Sequence, residues 1–433
     1  MEPEKQHFID ELRGTNEKKY RDAIDALASL LDASLDHEWM YIFELAQNAL
    51  DAGARRLSYA TDGLVLRFQH DGADALAEKH VTALSRIGGS TKGLSTIGFM
   101  GVGFKAAFSR FRTARVCGSD WRFRFDVGVD KGDPGVELTR WIDTVLPHWD
   151  PGLEDPDPGF TTLFRMERPI RHERPLANDL SRLEANGLTP LAVLAARGPR
   201  QLTIGETNFH LALENGEVRI DRDDTVESRR WRLFRASYTP TDAAMAEFLR
   251  VRRQLTEELT EDGRRRQRDV IALLPLDDKG MPVPPDQAFA YTTLPTQYRT
   301  PTGFHIQADW LVDVDRQQLR DIDGNAWQEE ILAQVPNLIG QLLEWLASPE
   351  LMDEQRAGGY RALRIPDADG DQIDQALERL RGAVAERLSG RPVVPIYGRG
   401  ERRFSPPETV ARLGGRFLSG FGQRPDWSPD VLF

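Results

Sequence analysis

A single cysteine, Cys117, stands in 433 residues, so no internal disulfide framework holds the chain and no cysteine pair has metal-ligand spacing. The eight histidines are scattered, with no His-x-x-x-His pair and no His/Cys cluster, which argues against zinc. No stretch approaches the run of about 20 apolar residues that a membrane helix needs, so no membrane partner is expected. The opening MEPEKQHFIDELRG is charged from the start and lacks a signal-peptide core, and a cytoplasmic location is expected. Positive charge is also short. A net charge of -12 argues against a whole-surface grip on nucleic acid and leaves only a local basic face as a route to it. The run Arg264-Arg265-Arg266 reads first as a solvated helix face. Two familiar phosphate motifs are missing as well. Walker A requires Gly-Lys-Ser/Thr, whereas Gly103 precedes Phe104, and the glycine spacing is opposite to that of the dinucleotide fingerprint.

Two stretches stand out. The first, YIFELAQNALDAGA, predicts a helix over 41–54 with almost every face apolar, hence buried. Along it Glu44, Asn48 and Asp51 fall at i, i+4 and i+7, one polar stripe on a buried helix. A buried carboxylate needs a cation, water or ligand opposite it. Gly53 is placed to stop the helix in the left-handed conformation. The second stretch, IGGSTKGLSTIGFMGVGFKAAF over 87–108, carries Gly98, Gly101 and Gly103 immediately before the helix start Phe104-Lys105-Ala106-Ala107-Phe108. Bare amides at a helix N-terminus are where phosphate oxygens are held. Gly88 to Ile97, with Ser90, Thr91 and Lys92, combines flexibility with phosphate-binding groups.

Read together, these stretches resemble the GHKL ATPases, the superfamily of gyrase, heat-shock chaperone, histidine kinase and MutL. Glu44-Leu-Ala-Gln-Asn48-Ala-Leu-Asp51 looks like its N-box, and Gly98-Phe-Met-Gly101-Val102-Gly103-Phe104-Lys105 like its second glycine box. Between them His70-Asp71-Gly72-Ala-Asp74 stands where the family has Asp-x-Gly-x-Gly. The resemblance implies ATP and Mg²⁺ as cofactors, with Glu44 as general base on the attacking water and Asn48 as the protein ligand of the metal. It also implies a lid over 88–97, Lys92 or Lys105 near the phosphates, and Thr162 beside the base. The middle box departs from the family, with His70 where an aspartate accepts from the adenine amino group. Either Asp71 takes over base reading or His70 reads the base with a ring nitrogen. The segment from Phe289 to Leu346 is similar to the second domain of the sacsin and heat-shock chaperone branch, in which an arginine reaches the γ-phosphate. Arg316 occupies that place, with neutralisation of Asp313 and Asp315 as its other reading.

The expected fold is α+β. A GHKL-type α/β-sandwich ATPase domain at 1–175 precedes an α/β transducer-like domain at 176–347. A small helical and mixed region follows at 348–433, and the resemblance allows the chain to be the front of a longer protein. Helices are expected over 8–13 and 20–31, and hairpin turns at Asp62-Gly63, Gly118-Ser119-Asp120 and Asn215-Gly216. The expected function is a Mg²⁺-dependent ATPase whose lid closure and domain docking drive a chaperone-like, defence or quality-control system. A protein partner, or self-association through the ATPase domain, would receive that motion. The rivals are a DNA-acting protein resembling MutL or a topoisomerase subunit, and a non-hydrolysing nucleotide sensor.

Overall fold

The computed structural model describes residues 2–20, 40–73, 76–86, 103–131, 137–169, 175–186, 188–198, 200–226, 228–251, 267–292, 294–300, 302–312, 319, 322, 324–363, 383, 386, 389–390, 394–398 and 401–405. The protein is a mixed α+β chain that forms two compact units. One is built chiefly on Met1–Ser228, the other chiefly on Arg229–Glu247, Gln267–Leu311 and Leu319–Phe433.

The first unit opens with helix α1 (Glu2–Tyr20), one continuous helix through Gly14 where a shorter segment over 8–13 is expected. The expected helix over 20–31 lies outside the described residues beyond Tyr20. Helix α2 (Met40–Asp51) follows, and Gly53 ends it at φ 76°, with its N–H on the Leu50 carbonyl. Strands β1 (Arg56–Thr61) and β2 (Leu66–His70) form a hairpin through Gly63 at φ 102°. Helix α3 (Glu78–Leu84) leads towards the glycine stretch. Strands β3 (Phe111–Gly118) and β4 (Trp121–Asp126) turn at Ser119 and Asp120, both left-handed, as a two-residue hairpin turn demands. Strands β5 (Val129–Lys131) and β6 (Glu137–Thr139) pair with each other, and β7 (His148–Trp149) edges β4. Strand β8 (Thr162–Pro169) lies between β2 and β3.

Helices α4 (Leu176–Asn186) and α5 (Leu188–Ala195) come next, then β9 (Gln201–Ile204), β10 (Thr207–Glu214) and β11 (Glu217–Arg222). Asn215 and Gly216 make the β10–β11 turn, both at positive φ. The strand order within this unit is β11-β10-β9-β1-β2-β8-β3-β4-β7, antiparallel throughout except for the parallel pair β1–β9. The expected boundary at 175/176 falls inside this unit. The reason is physical: the buried Asp179 carboxylate of α4 accepts from Arg110 Nε (3.1 Å) and from the Tyr41 hydroxyl (3.0 Å), so a cut at 175 would remove a buried carboxylate from a buried guanidinium.

Alternation along the strands gives the sheet two unlike faces. Phe68, Phe164, Phe123 and Phe125 are buried on one. On the other, Arg67, Arg165, Arg115 and Arg124 stand in one register row across β2, β8, β3 and β4. Carboxylates from Asp126, Asp150, Glu154, Asp157 and Glu167 neutralise the row.

In the second unit β12 (Ser228–Tyr238), β13 (Arg268–Leu276), β14 (Phe289–Thr292), β15 (Leu294–Arg299) and β16 (His305–Gln307) take the order β12-β13-β16-β14-β15. Two helices follow, Ala326–Leu332 and Val335–Leu346, with Pro336 in the first turn of the second, where its missing N–H costs nothing. Gln328 fixes the approach of the chain to the first of these, accepting from Leu311 N–H (3.2 Å) and donating to Leu311 O (2.7 Å). A further hairpin pairs β17 (Val394–Gly398) with β18 (Glu401–Ser405).

Candidate active site

Helix α2 lies on the apolar face of the sheet. Tyr59 on β1 donates its hydroxyl to the Ile42 carbonyl at 2.6 Å, and the Tyr41 ring meets Phe111 edge-on. The helix also packs against the short 3₁₀ segment Gly103–Ser109. Its polar stripe is graded in depth. Glu44 is 2% exposed, while Asn48 and Asp51, one and two turns nearer the C-terminus, are half-buried. A carboxylate is thus held deep on the helix, with an amide and a second carboxylate towards the open end.

That open end meets the end of β2. His70 sits on the same sheet face as Phe68 and stands opposite Thr162 in the β2–β8 register. Its ring is 4% exposed and lies nearly parallel to Phe164, with centroids 6.2 Å apart. Nδ1 accepts the Gly72 backbone N–H at 3.1 Å. Burial lowers the ring's pKa to about 4, against a smaller opposing pull from the Asp71 charge, so it is neutral at pH 7. Gly72 is required here: a Cβ would lie 2.9 Å from both His70 Nδ1 and the Ala52 carbonyl oxygen at the end of α2. Thr161 closes the turn, its hydroxyl donating to Gly72 O (2.8 Å). Thr162 is buried, with its hydroxyl oxygen 3.3 Å from the place a Cβ on Gly118 would take.

Asp71 is engaged elsewhere. One carboxylate oxygen accepts the backbone N–H groups of Arg55 and Arg56, each at 2.8 Å, and the other pairs with Arg56 Nε at 3.0 Å. Burial pushes its pKa up, but those hydrogen bonds and the guanidinium outweigh it and hold the carboxyl below its usual range. It stitches the start of β1 to the end of β2.

The glycine stretch is described only at its C-terminal end. Gly103 opens the 3₁₀ segment, and Phe104 packs on Phe164, Phe125 and Phe108 with centroids 5.5–5.9 Å apart. Ser90, Thr91, Lys92, Gly98, Gly101 and Val102 lie outside the described residues, as does Arg316. Lys105 is described, and it corrects an expectation. Its side chain is buried, its ammonium donates to the carbonyls of Leu84 and Thr144, and it lies 4.9 Å from the Phe125 ring centroid. Burial pulls its pKa far below the usual lysine range. A group enclosed by two carbonyls and aromatic rings is an internal clasp, not a phosphate ligand.

Two supporting residues give no sequence signal. Asn16 of α1 is buried and donates to Ser85 O (2.7 Å) and Val145 O (2.9 Å), joining the same two segments that Lys105 joins. Thr161 differs from Thr162 only by strand alternation. Among the described residues no three His, Cys, Asp or Glu side chains form a metal cluster, and no helix is long and apolar enough to cross a membrane.

No family model matches the chain, and no curated protein matches it. Among solved structures it is similar to the B-subunit of the DNA gyrase from Myxococcus xanthus, at 13% sequence identity and a TM-score of 0.32, over 64% of this chain and 72% of that one. A score that low fixes neither fold nor function.

Proposed function

We propose that the chain is a Mg²⁺-dependent nucleoside triphosphatase of the GHKL type, in which the resemblance supports the phosphate chemistry and ATP is the family's usual nucleotide. The observation that supports this reading is the graded stripe of α2, in which buried Glu44 is followed by half-buried Asn48 and Asp51 beside the strand end that carries His70 and Thr162. In this reading Glu44 takes the proton of the attacking water, and its burial suits a base shielded from bulk solvent. Asn48 offers a neutral amide oxygen to the metal, whose chemistry would be to neutralise charge on the phosphates. Residues 88–103, with Ser90, Thr91, Lys92, Gly98 and Gly101, hold the phosphates. Asp51, Gly72, His70, Phe104 and Thr162 border the nucleoside. Arg316 completes the charge stabilisation of the γ-phosphate. The cycle would drive a conformational change in a chaperone-like, defence or quality-control setting.

Phosphate release by the full chain with Mg²⁺ tests the reading. Glu44→Ala should lower turnover by about 10²–10⁴-fold, the usual contribution of a general base, while nucleotide binding persists. Unchanged turnover in that variant would remove Glu44 from the mechanism. Absence of nucleotide binding by the native chain would end the whole proposal.

A further inference from the structure

Resting on the nucleotide-site reading, we propose that His70 presents an N–H donor to the base and so selects a purine with an oxygen at C6, guanine or hypoxanthine, over adenine. The argument begins with the Gly72 amide. A backbone N–H can only donate. The nitrogen that faces it at 3.1 Å, His70 Nδ1, must therefore carry a lone pair and no proton. The ring is neutral at pH 7 because burial disfavours its charge. A neutral imidazole keeps one proton, and Nε2 must hold it. Among the described residues Nε2 takes no hydrogen-bond partner, so this donor is available to a ligand.

The ring cannot easily reverse this polarity. Rotating it by half a turn would place a carbon against the Gly72 N–H and leave that amide unpaired. Gly72 itself cannot withdraw, because Ala52 and Thr161 hold it from both sides. The ring lies close to parallel with Phe164, which fixes its plane, and Thr162 adjoins it on the neighbouring strand. The donor is thus set by the backbone and not by the choice of ligand.

A base edge that meets a fixed donor must offer an acceptor. Adenine carries an amino group at C6, a donor against a donor, and one of the two groups would be desolvated without a partner. Guanine and hypoxanthine carry a carbonyl oxygen in the same place and satisfy Nε2–H. An aspartate in this position would have the opposite polarity and the opposite preference. The substitution of an acceptor by a donor therefore changes which purine fits, without altering the phosphate end of the site.

Competition of ATP, GTP and ITP against a fluorescent nucleotide, with the full chain and Mg²⁺, provides the test. Hypoxanthine lacks the 2-amino group of guanine, so ITP isolates the C6 substituent. GTP and ITP should bind about tenfold or more tightly than ATP, the scale of one mismatched buried hydrogen bond. Equal or tighter binding of ATP overturns the inference and leaves the nucleotide-site reading standing. No binding of any of the three overturns both. His70→Asp should swing the preference to ATP. Should that buried carboxylate prevent folding, His70→Gln, whose amide can both donate and accept, should bring the three affinities within about threefold. A GTP preference that survives His70→Gln also overturns the inference. Long-range ¹H–¹⁵N spectra of the native chain supply an independent check, and a proton found on Nδ1 of His70 would sink it.

Discussion

Among the described residues each unit contains one buried histidine of nearly identical chemistry, and the pair shows what burial alone does not mean. In the first unit His70 accepts the Gly72 N–H on Nδ1 at 3.1 Å; in the second His305 accepts the Phe289 N–H on Nδ1 at 3.2 Å. Both rings are more than nine-tenths buried, and burial lowers each pKa to about 4. Their surroundings differ. His305 opens its strand, opposite Leu273 and edge-on to Tyr291. His70 ends its strand, beside a threonine, a required glycine and the open end of a helix with a buried carboxylate. A perturbed histidine is a candidate for function only where its remaining ring nitrogen faces something that could be a ligand. By that criterion the inference drawn above concerns His70 alone, and His305 is assigned only a fastening role through Phe289.

Acid should affect the two alike, and it is the largest effect expected. Each ring titrates near 4 in the folded chain against an ordinary value of 6.5, so the unfolded chain takes up the proton first as pH falls. The stabilisation is complete above pH 6.5 and is lost on going down towards pH 4, at about 3 kcal/mol for each ring. Denaturant titrations between pH 7 and 4 measure this. His70→Gln and His305→Gln should each remove part of the slope, and a slope unchanged by either would show that ring is not buried neutral.

Ligand binding should then separate the two. Substituting Ala for Gly72 puts a Cβ within 2.9 Å of Ala52 O and His70 Nδ1, so the strand end must shift. About 1–3 kcal/mol of stability should be lost, together with nucleotide affinity. His305→Gln should cost stability with affinity unchanged once the folded fraction is accounted for. Equal affinity losses in the two variants would erase the distinction drawn above. The smallest effect concerns Arg316, for which Arg316→Ala should lower turnover while leaving ADP affinity within about twofold, since ADP has no γ-phosphate to contact. A matching loss of ADP affinity would assign Arg316 a structural role.

Local chemistry was readable, and long-range partnership was not. The turns at Gly63, Ser119-Asp120 and Asn215-Gly216 and the helix stop at Gly53 follow from residues that tolerate positive φ, and all four appear where expected. The burial of α2 follows from its apolar periodicity. At the expected boundary of 175/176, in contrast, β9 pairs in parallel with β1 and Asp179 anchors to Arg110 and Tyr41, contacts that no periodicity announces. Lys105 was misassigned for a related reason: the residue type is right for phosphate, but its direction depends on which carbonyls the fold brings near. In the site, the stripe on α2 and the odd histidine were visible, and the commitment of Asp71 to Arg55 and Arg56 was not.

The clasp made by Lys105 also bears on how this chain could change over generations. By joining the Leu84 carbonyl to the far side of the glycine stretch, one ammonium fixes both ends of residues 85–104. A segment with pinned ends can vary in length at little expense to the fold, since doubling a loop costs only about 0.6 kcal/mol in closure entropy. A short Gly/Ser insertion between 88 and 96 should therefore leave the thermal midpoint nearly unchanged in the native chain and lower it more in Lys105→Met. Length there can change while Leu84 and Lys105 on either side stay joined.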